Sequence, residues 1–411
     1  MNTKNLKKNL LFLNYLEGIP NPNIGGPNHV IYDFIANYDG SDYEFDFLSY
    51  GAYIPKVNLN SLAEENRYFL GSKKFTGGLY YKNKFFRSLV SSDFYKPFHV
   101  WKHNHYFEKK IPKKEYNVIH AHDSVGLSFT KAMKNCKRIM TIHHYIPYSL
   151  DMTTPIKNRL IKNKVHELLR EKESLSLEIS DVITFPSHAV KNFFFEKLKP
   201  QKEKDVRIIY NGVDLNKIKS ILPYNLKRIL LHTEQNYDWV IISVSSHEKN
   251  KNLDIALKTI ARIVHGYKKR VMFINCGVGS QTDELKSLSA KLGIENNVLF
   301  LGSVPNNEVI ALMKASDVFL HLSDKVVFDL VVLEAMACGL CVVAMDRGGN
   351  KEIILNEENG LLINDLDEDT AAQSIITQNH ETIRKSALCA IKNFSLQNYV
   401  SAYNKLYSDL C

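Results

Sequence analysis

The chain has 411 residues, 45% of them hydrophobic and 24% charged, which exceeds one ordinary core and excludes an extensively disordered chain; two domains are expected. Its six cysteines are too sparse for a disulfide scaffold and fit a reducing cytoplasm. The net charge of +9 is unevenly placed, with 32 Lys and Arg against 22 Asp and Glu through Leu215 and 21 against 22 beyond it, so the N-terminal half calls for an anionic surface or partner.

The opening MNTKNLKKNLLFLNYL carries charges before a short apolar run. Asn14 interrupts that run and no small-residue cleavage site follows, so a buried first strand is expected over Asn9–Leu13. Next comes EGIPNPNIGGPNHVIYDFIAN, where Gly25 and Gly26 precede an amphipathic helix; the pair either lets backbone amides approach an anion or simply turns the chain. A second strand is expected over Tyr43–Leu48. From Arg67 to Lys114, 12 basic residues face only two acidic ones, Asp93 and Glu108, and are interleaved with Tyr80, Tyr81, Phe85, Phe86, Phe94 and Trp101. Such a segment either seats in an anionic membrane interface or is an aromatic core with a solvated basic face. No recognised module supports nucleic acid binding.

Strands expected over Val118–His120 and Arg138–Ile142 run into VIHAHDS and TIHHYIPY. They present His120, His122, Asp123, His143 and His144 at strand ends, where open α/β sheets receive ligands. His122 and His143 are favoured for chemistry, His120 and His144 for packing. Strands over Val182–Phe185 and Val206–Tyr210 lead to Asn211–Gly212, which reads as a turn. The polar stretch Asp214–Tyr237 is the expected boundary.

The second half repeats the pattern, with strands expected over Val240–Val244, Val271–Cys276, Val298–Leu301, Val318–Leu322 and Cys341–Ala344 and a closing helix over about 396–409. Both halves are therefore α/β. Lys249 and Lys251 open a helix after the first of these strands, placed for a diphosphate or for solvent. The longest apolar run, Val331 to Met345, is interrupted by Glu334 and falls short of the ~18 residues of a membrane span. A carboxylate in such a run needs partners, and a ribose diol would supply two donors. Gly348 and Gly349 again follow a strand and can bring amides toward phosphate. Cys338 and Cys341 form a lone CxxC without a second pair at zinc spacing, so no metal is expected.

The ordered set IHAHDS, TIHH, SDVITFPSHAVKNFF, IIYNGVD, KNLD, INCGVGSQTDEL, VLFLGSVPNNEV, LEAMACG, RGGNKEI and ENGLLI resembles the retaining family 4 glycosyltransferases. The resemblance spans nearly the whole chain. It implies a GT-B fold of two facing Rossmann-like doubly wound domains: an acceptor-binding domain over 1–214, a nucleotide-sugar domain over 215–385, and a helix over 386–411 packing back toward the first. The ligand site should then draw on both halves. The implied activity is metal-independent transfer, with no cofactor, from a UDP- or GDP-linked sugar to a glycan or lipid-linked acceptor in surface polysaccharide assembly.

In the same resemblance, Lys251 holds the donor diphosphate and Glu334 the donor ribose. Ser303 and Val304 lie where the nucleobase rests, Leu330 and Val331 bind the donor with Glu334, and Gly348 and Gly349 bind it with Lys249. His122 and His143 line the reaction centre, and Gly25 and Gly26 form the loop over phosphate and acceptor. Two positions depart from the pattern: Val326 stands where the family's first glutamate is expected and Ser246 where its arginine is expected. Asp324, Asp329, His247 and Lys249 are the nearby substitutes. The departures leave open a second reading, a non-catalytic partner that binds glycan or stabilises an active transferase.

Overall fold

A computed structural model describes residues 7–15, 20, 27–38, 42–49, 52–65, 93, 95–154, 156–226 and 237–411. The chain divides into one compact unit of 1–210 with 399–411 and a second of 211–398.

The first unit is built on strands β1 (Lys8–Asn14), β2 (Tyr43–Ser49), β3 (Tyr53–Ile54), β4 (Val118–Ala121), β5 (Lys137–Thr141), β6 (Val182–Phe185) and β7 (Asp205–Ile208). Their order is β3-β2-β1-β4-β5-β6-β7, and every pairing is parallel except β2 with β3. Leu10, Leu11, Phe12 and Leu13 are all fully buried, as a central strand covered on both faces requires. Helices α1 (Pro27–Asn37), α2 (Tyr95–Lys110), α3 (Tyr148–Thr153), α4 (Arg159–Ile179) and α5 (His188–Lys197) connect these strands.

Asp46 lies buried within β2, where its carboxylate accepts hydrogen bonds from the Tyr116 hydroxyl (2.5 Å), the Lys56 amide (2.9 Å) and the Tyr53 hydroxyl (2.9 Å). Burial alone would raise its pKa; these donors outweigh burial and hold it below the ordinary carboxylate range.

The second unit has strands β8 (Trp239–Val244), β9 (Val271–Cys276), β10 (Val298–Gly302), β11 (Val318–His321), β12 (Cys341–Met345) and β13 (Leu361–Ile363). They lie in the order β10-β9-β8-β11-β12-β13, all parallel. Helices α6 (Leu215–Ser220), α7 (Leu253–Ala261), α8 (Thr282–Lys291), α9 (Asn306–Lys314), α10 (Leu330–Ala337), α11 (Asn350–Ile353), α12 (Glu368–Thr377) and α13 (His380–Ala390) accompany the sheet. Its core joins Ile241, Phe273, Leu320 and Val343 to Leu257 and Ile260 of α7. Each unit is thus a doubly wound parallel α/β domain, as expected.

The strands read from sequence are present to within two residues at either end. The two additional ones, β3 and β13, are two and three residues long, too short to show a period. Asn211–Gly212 is a correction. Instead of a turn, the chain there forms a parallel bridge, with the Val213 amide donating to the Phe394 carbonyl (3.0 Å) and the Leu396 amide to the Val213 carbonyl (2.9 Å). A Cβ on Gly212 would come within 2.4 Å of the Ser395 carbonyl oxygen, so close backbone approach is what demands glycine.

The stretch 386–411, read from sequence as one piece, is divided by its contacts: 386–398 stays with the second unit and 399–411 joins the first. The joining element is the start of α14 (Leu396–Leu410), whose Tyr399, Tyr403 and Tyr407 recur every fourth residue and are all buried. Among the described residues no helix is long and apolar enough to cross a membrane.

Candidate functional site

In the first unit, the carboxyl ends of β4 and β5 bring together the two histidines singled out in the sequence. The His122 amide still donates to Leu13 O (2.8 Å), which extends the β1–β4 ladder by one residue and fixes its backbone. His122 Nδ1 and His143 Nε2 lie 3.1 Å apart with the ring planes nearly parallel, at 6°. One of the two nitrogens must carry the shared proton. His122 is 1% exposed, and its Nε2 has no hydrogen-bond partner. A buried ring nitrogen in that state costs about 1–3 kcal/mol until something pairs with it.

Burial, followed by the charges of His120 and His143, holds His122 well below the ordinary histidine pKa; burial, followed by His144, lowers His143 to about 3. Both imidazoles are therefore neutral near pH 7. They can exchange hydrogen bonds with hydroxyls, but they supply no cation for a phosphate.

His120 has a different task. Its Nδ1 meets the Tyr407 hydroxyl (2.7 Å) and its Nε2 the Thr141 hydroxyl (2.6 Å); Thr141 continues to Thr184 (2.5 Å), and the Tyr403 hydroxyl lies 3.0 Å from both threonines. The ring stacks on His122 with centroids 4.1 Å apart. His120 is thus a saturated packing group that locks α14 to the sheet and backs the His122 ring. Asp123 is structural as well, because its carboxylate accepts the amides of Tyr15 (2.6 Å), Val125 (2.7 Å) and Gly126 (2.6 Å). Burial still pushes its pKa up to about 6.

Glu173 of α4, fully buried, accepts from the Ser124 hydroxyl (2.5 Å) and the Tyr148 amide (2.7 Å), tying β4's end to the start of α3. Sequence patterning gave no sign of this carboxylate, since the amphipathic period of α4 tolerates a polar residue on its inner face. Gly25 and Gly26 lie outside the described residues, as do 67–92 and 94 of the basic aromatic segment.

In the second unit, Lys251 closes a short 3₁₀ turn over Lys249–Lys251, after which Asn252 adopts a left-handed conformation (φ 52°). The Asn252 side chain donates to the Leu322 carbonyl (2.8 Å), pinning the turn to the end of β11. That places Lys251 Nζ 3.2 Å from the Ser323 hydroxyl. Lys249 is exposed. Next to Ser323, Asp329 Oδ2 lies 2.8 Å from His321 Nε2. Burial would raise the Asp329 pKa, but the His321 hydrogen bond, with the charges of His321 and Lys251, brings it below the carboxylate range. This pair was not anticipated as a unit, because eight residues and a strand end separate its members.

Glu334 sits half-buried on α10, and its Oε1 accepts from the Asn306 side chain at 3.0 Å. Asn306 is the first residue of α9 and follows Ser303, Val304 and Pro305 directly. The contact therefore brings Glu334 beside the Ser303–Val304 segment at the end of β10. Leu330 and Val331, both half-buried, form the first turn of α10.

Gly348, at φ +52°, and Gly349 pack against the backbone of 326–328; a Cβ on Gly348 would fall 1.8 Å from the Val326 carbonyl oxygen and one on Gly349 2.6 Å from that of Val327. Among the described residues, neither glycine amide donates a hydrogen bond. Val326 itself is fully buried. Of the substitutes considered for the missing glutamate and arginine, His247 is committed elsewhere, to Asn275 (2.6 Å) and Thr282 (2.8 Å). Asp329 is held by His321, while Asp324 and Lys249 are exposed. Cys338 and Cys341 are free thiols that burial pushes up to about 12.

Two parallel α/β units, each with polar side chains gathered at the carboxyl ends of its strands, define the GT-B class of fold. Solved structures agree on that fold: sucrose-phosphate synthase from Thermosynechococcus elongatus superposes with a TM-score of 0.67 at 17% identity, covering 98% of this chain and 99% of that one. The Anabaena protein HepE in complex with UDP-glucose gives 0.64 at 18% identity, covering 98% and 100%. In sequence, residues 24–217 match the family described as Glycosyltransferase Family 4 and residues 232–387 the one described as Glycosyl transferases group 1. N-acetyl-alpha-D-glucosaminyl L-malate synthase of Bacillus anthracis is 28% identical over 284 residues, 66% of this chain and 68% of that protein. The chain belongs to the family 4 type of glycosyltransferase.

Proposed function

We propose that this glycosyltransferase moves a sugar, with retention at the anomeric carbon, from a UDP- or GDP-linked donor to a glycan or lipid-linked acceptor. Its place would be surface polysaccharide assembly in the cytoplasm, peripheral to the inner face of the membrane. The observation that carries the donor half is the grouping in the second unit. Lys251 is held beside Ser323, Glu334 beside Asn306 and the 303–304 segment, and two free amides stand at Gly348 and Gly349.

A nucleotide-sugar offers a diphosphate, a ribose diol and a base edge. Lys251 and the glycine amides suit the first, Glu334 the second, and the backbone of Ser303 and Val304 the third. HepE, which shares the fold, has been solved with UDP-glucose. In the reaction, Lys251 and the amides would stabilise charge developing on the departing diphosphate, an electrostatic contribution that calls for no metal. The neutral His122–His143 pair would bind sugar hydroxyls, with His122 Nε2 gaining the partner it lacks.

Purified protein offered a panel of nucleotide-sugars tests this directly. Hydrolysis or transfer with one donor, abolished by Glu334→Ala, supports it, and anomeric NMR of the product reads retention. Turnover unchanged in Glu334→Ala overturns the site.

The burial of Val326 where the resemblance expects a glutamate favours a second reading, a partner subunit that binds glycan without transferring sugar. That reading predicts no nucleotide-sugar binding by calorimetry; tight binding of any donor contradicts it.

A further inference from the structure

We infer that Asn14, Ser49 and His122 form one binding site for a pyranose ring, held through its hydroxyls. The inference rests on the proposed transfer of sugar and adds Asn14 and Ser49, two residues outside the sequence motifs, to the His122–His143 pair.

The three residues end neighbouring strands. Asn14 of β1 stands in register with Ser49 of β2. On its other side Leu13 pairs with Ala121 of β4, and the His122 amide donates to Leu13 O (2.8 Å), so His122 is the next neighbour of Asn14. Residues in register on parallel strands share a face. That face is the one α1 covers. The Phe12 ring meets Phe34 of α1 (5.6 Å) as well as His122 (5.3 Å), and the Asn14 side chain donates to Asn28 Oδ1 at the start of α1 (3.3 Å). Ser49, Asn14 and His122 therefore form a row across the carboxyl edge of the sheet, where open α/β folds receive ligands.

Each member of the row keeps one polar atom unpaired. Asn14, Ser49 and His122 are exposed at 1%, 0% and 1%, yet among the described residues Asn14 Oδ1, Ser49 Oγ and His122 Nε2 have no hydrogen-bond partner. Their other groups are engaged: Asn14 Nδ2 with Asn28, the Ser49 amide with the Ala52 carbonyl (3.0 Å) and His122 Nδ1 with His143 (3.1 Å). A buried polar atom left in this state costs about 1–3 kcal/mol. Three of them on adjacent strands point to a ligand.

The chemistry of the row selects that ligand. Asn14 Oδ1 can only accept, so its partner must bring a proton, as a hydroxyl does; Ser49 Oγ both accepts and donates, and the neutral His122 ring offers one nitrogen. Asn28 and His143 beside them are neutral as well. Asp123, next in the chain, is taken up by three backbone amides. A phosphate or carboxylate would lose its hydration here without a cation to replace it. Strand spacing sets the backbones of adjacent members about 4.8 Å apart and those of Ser49 and His122 roughly 10 Å apart. A pyranose with hydroxyls on successive carbons spans such a row, and a single water does not.

Saturation-transfer NMR on the full-length protein with the methyl α-glycosides of glucose, mannose, galactose and N-acetylglucosamine reads the site without a donor. At least one should bind wild type and lose about three- to tenfold in affinity in Ser49→Ala and in Asn14→Ala, one neutral hydrogen bond in each case. Ser49 Oγ has no partner to lose, so Ser49→Ala should keep or raise the thermal midpoint while it weakens binding, a combination that a structural hydroxyl does not give. Asn14→Ala also breaks the bond to Asn28, and Ser49→Ala carries the test where that variant unfolds. Turnover then tells which sugar occupies the row. A raised acceptor KM with donor hydrolysis unchanged assigns it to the acceptor, and an equal fall in donor hydrolysis assigns it to the transferred sugar; both support the site.

No glycoside bound by wild type, wild-type binding by both variants, or a lowered thermal midpoint in Ser49→Ala overturns the inference. Wild type that turns over donor, with Ser49→Ala and Asn14→Ala transferring just as well, sinks the pyranose site alone. Glycoside binding that both variants lose, without donor turnover by wild type, sinks the transferase reading alone.

Discussion

The two units place polar groups at equivalent strand ends but solve opposite problems. In the first, His122 and His143 are sealed from water and neutral, paired with each other and backed by His120. In the second, Lys251 and Glu334 stay half-buried, Lys251 beside the Ser323 hydroxyl and the Asp329 carboxylate and Glu334 beside the Asn306 side chain. A buried neutral pair is suited to ranking hydroxyls by geometry; a half-buried lysine and carboxylate keep the charge needed to grip a nucleotide. The same topology thus yields one desolvated site and one charged one, and burial is the variable that separates them.

The largest effects should come from the charged side. Lys251→Ala and Glu334→Ala are each expected to lower kcat/KM for the donor by about a hundredfold or more, around 3 kcal/mol, read by steady-state kinetics. Gly348→Ala should follow: its Cβ meets the Val326 carbonyl in a left-handed conformation, so a fall in thermal midpoint corresponding to about 1–3 kcal/mol is expected along with weakened donor binding.

His122→Ala is the contrasting case. It should reduce kcat with little change in nucleotide affinity, and the wild-type kcat profile should show no histidine titration between about pH 6 and 8. A bell with a limb near the free-histidine pKa would break the distinction between the sites.

A smaller, distributed effect concerns stability. His120, His122 and His143 are kept neutral in the fold with pKa values below the unfolded 6.5. The unfolded chain therefore binds more protons below that point. Their stabilisation is complete above pH 6.5 and is lost as pH falls, for His143 until about pH 3. Asp123 runs the other way. With its folded pKa near 6 and an ordinary value of 3.8, its contribution is complete below 3.8 and is lost as pH rises through about 6. Denaturant midpoints measured from pH 8 to pH 5 should fall, because three histidines outweigh one aspartate. Asp123→Asn removes its share of the opposing contribution, leaving that of buried Glu173, whose pKa burial also raises, and the fall should be steeper. A flat profile would contradict burial of the histidines.

Much of this was legible in the sequence because the strands are continuous apolar runs buried on both faces, a signal that survives without alignment. The strand-end histidines were legible for the same reason, as polar residues placed where such runs stop. Their roles were not. HAH looks alike at both positions, and only Tyr407 and Thr141, distant in sequence, convert His120 into a packing group. Gly348 and Gly349 were read as phosphate glycines, but the structure gives them a prior reason in the backbone of 326–328. Glu173, Asn306 and the His321–Asp329 pair escaped because each takes its partner from another element. Asn211–Gly212 misled because a turn signal and a close chain crossing both favour glycine.

The central claim, that the second unit holds the nucleotide while the first unit's histidines act on hydroxyls, is tested most directly by titrating UDP and GDP into wild type, Glu334→Ala and His122→Ala by calorimetry. Wild type should bind one of the two, Glu334→Ala should lose about tenfold or more in affinity, and His122→Ala should bind like wild type. Unchanged affinity in Glu334→Ala, or an equal loss in His122→Ala, would contradict it.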